Sequence, residues 1–149
     1  MSVALLVVVI VLGILLVNAI VWGVVLTSMS RRRRARLATL EESFAATGTR
    51  PLLGPARGNY CGGTGDYPKV ANNSLITLTP TQLLIDPYFG RSVTVGIPEI
   101  TGCRISKTWR GRVVAGRDFV VVTTARGEVG LYVPDTVGWQ AEIERLAQA

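Results

Sequence analysis

The chain has 149 residues, with 16 Lys or Arg, 10 Asp or Glu, no histidine and two cysteines. Without histidine, Ser-His-Asp and Cys-His nucleophiles and His-ligated metal centres are excluded, and two thiols alone do not close a structural zinc site. The net charge of +6 is concentrated: five arginines stand in one block, leaving 11 basic against 10 acidic residues beyond it, too even a balance for a nucleic-acid-binding domain. Arginine outnumbers lysine 14 to 2, a skew that with abundant Ala, Val and Gly fits a high-GC bacterium.

The first element is residues 1–30. Positions 2–30 hold no charged residue and no proline, and most are Val, Leu, Ile or Ala. About 20 such residues cross a hydrocarbon core of ~30 Å, and a helix satisfies its own backbone groups there. Residues 4–26 are therefore predicted to form one transmembrane helix. Trp22 lies near its charged end, where an amphipathic ring favours the interface. Arg31, Arg32, Arg33, Arg34 and Arg36 follow directly. Basic flanks stay in the cytoplasm, so the N-terminus is expected outside and everything after Arg31 inside the plasma membrane. These arginines and Trp22 form the expected membrane-surface set, with anionic headgroups as partners. A cleaved signal peptide would place its charge before a shorter apolar core, which this segment does not do. Asn18 is the one polar side chain deep in the run and the expected point of contact with a partner helix; Gly13 and Gly23 are not at GxxxG spacing.

Residues 31–48 combine the basic block with a short amphipathic helix. Leu37, Leu40 and Phe44 share one face, and Gly48 and Pro51 mark the stop. Residues 49–69 are rich in Gly and Pro and are expected to be a linker, with at most a short edge strand over 57–60. The stretch Cys61-Gly62-Gly63-Thr64-Gly65 lacks the Lys-Ser/Thr ending of a phosphate loop. From Val70 the pattern changes to short strands, expected over 74–79, 82–86, 92–97, 101–110, 117–124 and 128–133. Turn signals fall every 8–12 residues, which points to an antiparallel meander closing as a small barrel or bent sandwich. Beyond Pro134, Trp139, Ile143 and Leu146 line one side of a final helix with Asp135 as its N-cap; this helix should cover the end of the sheet.

Two phrases carry a resemblance. Leu78-Thr79-Pro80-Thr81-Gln82-Leu83-Leu84-Ile85, then Ile97-Pro98-Glu99-Ile100-Thr101-Gly102, are similar to a hairpin and strand entry in small bacterial membrane-anchored proteins with a pleckstrin-homology-like (PH-like) domain. The likeness runs over residues 70–149 and points to single-pass, actinobacterial-type members. It implies a mainly β fold, an antiparallel barrel capped by a C-terminal helix behind one transmembrane helix, and a binding role with no reaction.

Arg104, Lys107, Arg110, Arg112 and Arg117 bracket a loop that carries Trp109. With Trp109 exposed, this basic hairpin would contact an acidic protein face or lipid headgroups. With Trp109 buried, it reduces to a solvated basic hairpin. No two acids make a catalytic pair, Cys103 reads as core filler, and Cys61 is the candidate exposed thiol with no base near it in sequence. The expectation is a non-catalytic, membrane-anchored binding module, without cofactor, metal or nucleic acid. Its role would be that of an accessory or assembly subunit of a larger plasma-membrane complex, for example respiratory or transport. A sensor of anionic headgroups and a self-associating scaffold are the alternatives.

Overall fold

A computed structural model describes residues 2–149. The chain divides into two compact units, the first ending at Ala35 and the second running from Arg36 to Ala149. A single helix, α1 (Val3–Thr47), fills the first unit and opens the second. It stops where Gly48 takes φ +63°, a left-handed conformation that glycine adopts at no cost.

Within the first unit the apolar residues are exposed around the whole circumference, Trp22 among them. It is the one helix among the described residues long and apolar enough to cross a membrane. Its polar side chains turn back on their own backbone. Asn18 Nδ2 donates to Ile14 O at 3.0 Å, Thr27 Oγ1 donates to Gly23 O, and Ser30 Oγ donates to Thr27 O at 2.9 Å. Groups satisfied within the helix carry a smaller penalty in an apolar medium.

The second unit is mainly β. Seven antiparallel strands form one sheet in the order β4-β3-β2-β1-β9-β8-β5. They are β1 (Leu53–Gly63), β2 (Asn72–Leu78), β3 (Gln82–Pro87), β4 (Val93–Gly96), β5 (Ile100–Ser106), β8 (Phe119–Thr124) and β9 (Gly127–Tyr132). A separate two-residue hairpin, β6 (Thr108–Trp109) and β7 (Arg112–Val113), lies between β5 and β8. Alternation sorts the faces: Ile76, Leu78, Leu83, Ile85, Val93 and Val95 point to one core, which Val120, Val122, Val129 and Leu131 share. Strands from both halves of the order thus bury one interior, so the sheet bends around it. The final helix α2 (Thr136–Ala147) closes the layer. Asp135 caps it by accepting from Gly138 N at 3.0 Å, and Trp139 and Ile143 enter the core.

The linker expected over 49–69 gives way to the longest strand. β1 pairs with β2 from Leu53 to Tyr60 and with β9 from Asn59 to Gly63, so it is central rather than an edge. Its glycines imitate a loop but serve close approach: a Cβ on Gly58 would lie 2.4 Å from Tyr132 O and 2.5 Å from Ile76 Cδ1. The single strand expected over 101–110 also divides. Ser106 Oγ donates to Thr108 O at 2.6 Å and accepts from Thr108 N at 3.3 Å, making a local turn that ends β5.

The outer face of the first four strands is covered too. Leu75 (1% exposed) and Thr77 point away from the core, yet both are buried. On the same face Asp86, which pairs with Leu75 across the ladder, receives Arg36 Nη1 at 3.4 Å; Leu40, one turn further along α1, is buried. The last turns of α1 therefore act as an outer layer of the β unit.

Candidate functional site

The basic hairpin is organised by Trp109. Its ring is 5% exposed and packs with Phe119, Val121 and half-buried Cys61 as a second small core on the outer side of the sheet. Nε1 donates to Gly62 O at 3.1 Å, and Gly130 supplies the space, since a Cβ there would lie 2.3 Å from that nitrogen. Arg110 (φ +47°) and Gly111 (φ +72°) form the tight turn between β6 and β7 that sends Trp109 inward. Trp109 is thus a core residue, and an exposed aromatic anchor on this loop is ruled out. The signal was present in Phe119-Val120-Val121-Val122: four apolar residues in succession, rather than alternating, need cover on both faces.

The basic side chains have separate fates. Arg104 lies on the sheet and meets Glu128 through two contacts, Nη1 to Oε1 at 2.5 Å and Nη2 to Oε2 at 3.2 Å. The stretch from Arg104 to Arg117, which holds no acid in sequence, therefore acquires a carboxylate in space. The shared hydrogen bond holds Glu128 below the ordinary carboxylate range and raises Arg104. Arg110 Nη1 donates to Lys69 O at 2.6 Å, and the Arg117 guanidinium stacks 4.7 Å from the Tyr132 ring centre. Lys107 and Arg112 are exposed.

The membrane-surface set also divides. Trp22, Arg31, Arg32 and Arg34 are exposed. Arg36 belongs to the second unit, where it meets buried Asp86, whose Oδ1 also accepts from Ser92 Oγ at 2.6 Å. Arg36 is therefore engaged by the sheet rather than held out for headgroups.

The thiols are quiet. Cys61 lies on β1 rather than in a loop, and burial pushes its pKa up against the opposing effects of a backbone hydrogen bond and of Arg112. Burial pushes Cys103 up to about 12, with Glu144 adding to the shift. Neither has the lowered pKa of a reactive cysteine. No cluster of three or more Cys, Asp or Glu suited to a metal ion occurs among the described residues.

Open grooves mark the surface of the β unit, two of them larger than 200 Å³ among the described residues. One, about 430 Å³, lies between the β1–β2 and β3–β4 connections and is lined by Tyr60, Pro68, Val70, Pro87, Phe89 and Arg91. Burial raises the Tyr60 pKa to about 12, and its hydroxyl donates to Pro68 O at 2.5 Å. The other, about 280 Å³, runs between the start of β5 and the end of α2, past Cys103 and Glu144.

No protein-family model matches this chain, and no curated protein matches it. Among solved structures, the chain is similar to the crystal structure of the C-terminal domain of an unknown protein from Leishmania infantum. That likeness covers 75% of this chain and 97% of the other, with a TM-score of 0.51 and 13% identity. It establishes a shared fold and carries nothing about activity.

Proposed function

We propose that this protein is a non-catalytic binding module with a PH-like head, held at the inner face of a bacterial plasma membrane by α1. The observation that carries the reading is the order of its parts. An apolar helix exposed on all sides runs directly into a five-arginine block, and the β unit begins within that block at Arg36. Such a block favours retention in the cytoplasm, which would place the N-terminus outside. The PH-like reading draws support from the chain order of the head, a four-strand meander, then a three-strand meander, then one helix packed on the core.

The test is purification of the full chain from its native membrane in mild detergent. A stoichiometric integral-membrane partner is the expected result. Recovery of the chain alone, at every detergent mild enough to preserve known complexes of that membrane, refutes the accessory role.

A further inference from the structure

The outer face of the sheet carries a pocket of about 130 Å³ between β1, the last residue of the β1–β2 connection and the β6–β7 hairpin. Ala71, Trp109, Val114 and Phe119 form apolar walls, with half-buried Cys61 beside them. The buried ring of Trp109 thus serves as a wall, and the surface on offer is the space next to it.

Two polar side chains line the same pocket. Asn59 lies in the middle of β1, between Asn73 of β2 and Tyr132 of β9. Its backbone carbonyl accepts from Cys61 Sγ at 3.5 Å, while its side-chain amide has no hydrogen-bond partner among the described residues. Arg112 stands opposite Trp109 in the hairpin ladder, so the two side chains share one face. The Arg112 guanidinium is near enough to Cys61 to oppose the upward shift of that thiol. Arg104, Arg110 and Arg117 are engaged by Glu128, Lys69 O and the Tyr132 ring; Arg112 has no carboxylate, carbonyl or ring partner among the described residues. Arg117, stacked on the ladder partner of Asn59, puts a second cation alongside. Among the described residues no acid lines the pocket.

We propose that this pocket receives an extended acidic segment of a protein partner, seating one apolar side chain that has a carboxylate next to it in sequence. The apolar side chain enters between Trp109, Val114 and Phe119. A cavity of about 150 Å³ holds one benzene-sized group, so the space suits a side chain of the size of Leu. The Asn59 amide offers one acceptor and two donors, the complement of the N–H and C=O groups of a passing peptide. Arg112 takes the carboxylate, a planar fork meeting a planar group. Apolar seat, amide and cation together demand three features of one ligand, which a simple anion cannot supply. The inference deepens the reading of the chain as a binding module and rests on it. Every group involved belongs to the β unit.

The test uses the full chain in an uncharged detergent, with nitrogen-15 in its three tryptophans, so that three indole N–H signals report. The Trp109 signal is the one lost in Trp109→Phe. The probe is acetyl-Leu-Asp-amide, raised to about 10 mM, which fills about nine-tenths of a site of 1 mM affinity. The Trp109 signal is expected to move and saturate while those of Trp22 and Trp139 stay in place. Affinity should fall at least about fivefold with acetyl-Leu-Asn-amide, with acetyl-Gly-Asp-amide and with Arg112→Gln. Arg112 is exposed, so Arg112→Gln leaves the thermal unfolding of the chain where it was. A Trp109 signal that stays still throughout overturns the proposal. So does one that moves equally with all three peptides, or with acetate or inorganic phosphate. Neither result bears on co-purification of a membrane partner, which its own experiment decides.

Discussion

Truncating Trp109 distinguishes a core residue from a surface anchor. The ring fills the space over Gly130, packs on Phe119 and Val121, and donates one hydrogen bond to Gly62 O. Trp109→Phe keeps most of the packing and leaves that carbonyl without its donor, a loss of about 1 kcal/mol. Trp109→Ala also opens a cavity against a close-packed wall, and aromatic-to-alanine changes at buried sites cost about 3–5 kcal/mol. At roughly 4 °C per kcal/mol for a unit of this size, Tm falls by about 4 °C for Trp109→Phe and 12–20 °C for Trp109→Ala. Thermal unfolding of the detergent-solubilised full chain, followed by circular dichroism in the β region, reads both values. A fall of less than about 2 °C for Trp109→Ala would refute the burial and restore the loop as an exposed anchor.

Other outcomes follow from the same contacts. Gly58→Ala brings a Cβ to within 2.4 Å of Tyr132 O, a backbone atom with no room to yield, so the head should lose about 2–3 kcal/mol or fail to fold; wild-type stability in urea would contradict the central placement of β1. Arg104 is exposed and Glu128 only half-buried, so a double-mutant cycle between them should give a coupling of about 1 kcal/mol or less. Because Glu128 has a lowered pKa in the folded state, its contribution is present above the unfolded value of about 4.3 and is lost as pH falls through the folded one. Arg104→Met should therefore lower stability at neutral pH, by no more than about 1 kcal/mol, and leave it unchanged at pH values below the folded one, so that the acid side of the profile flattens. With Cys103 lifted to about 12, its alkylation at pH 8 should run at least about 100-fold slower in the native chain than after denaturation, and Cys61, also raised, should be slowed as well. Equal rates would contradict the packing of both thiols.

Much of this architecture could be read from local signals. The apolar helix, its stop at Gly48, the hairpin of β2 and β3 and the Asp135 cap each rest on neighbouring residues whose preferences agree with the fold. What escaped depended on distant partners. β1 looks like a linker because Gly58 and Gly63 are glycines for the sake of Tyr132, Ile76 and Tyr67, none of them adjacent in sequence. Arg36 belongs by sequence to the arginine block and is separated from it by Asp86, 50 positions away. Trp109 sits in a basic, loop-like run, and its burial is set by Val121 and Gly130 on strands that follow it. The basic hairpin reads in sequence as one patch, whereas three of its five cations, Arg104, Arg110 and Arg117, are distributed among Glu128, Lys69 O and the Tyr132 ring.

The claim that everything else depends on is that α1 pins the β head to the inner leaflet. Paired reporters fused after Ala149, one active only in the cytoplasm and one only outside, measure this in intact cells. The account predicts activity from the cytoplasmic reporter alone, on a full-length chain that sediments with membranes and resists extraction by high salt. Activity from the external reporter, or release of the chain by salt, would contradict it.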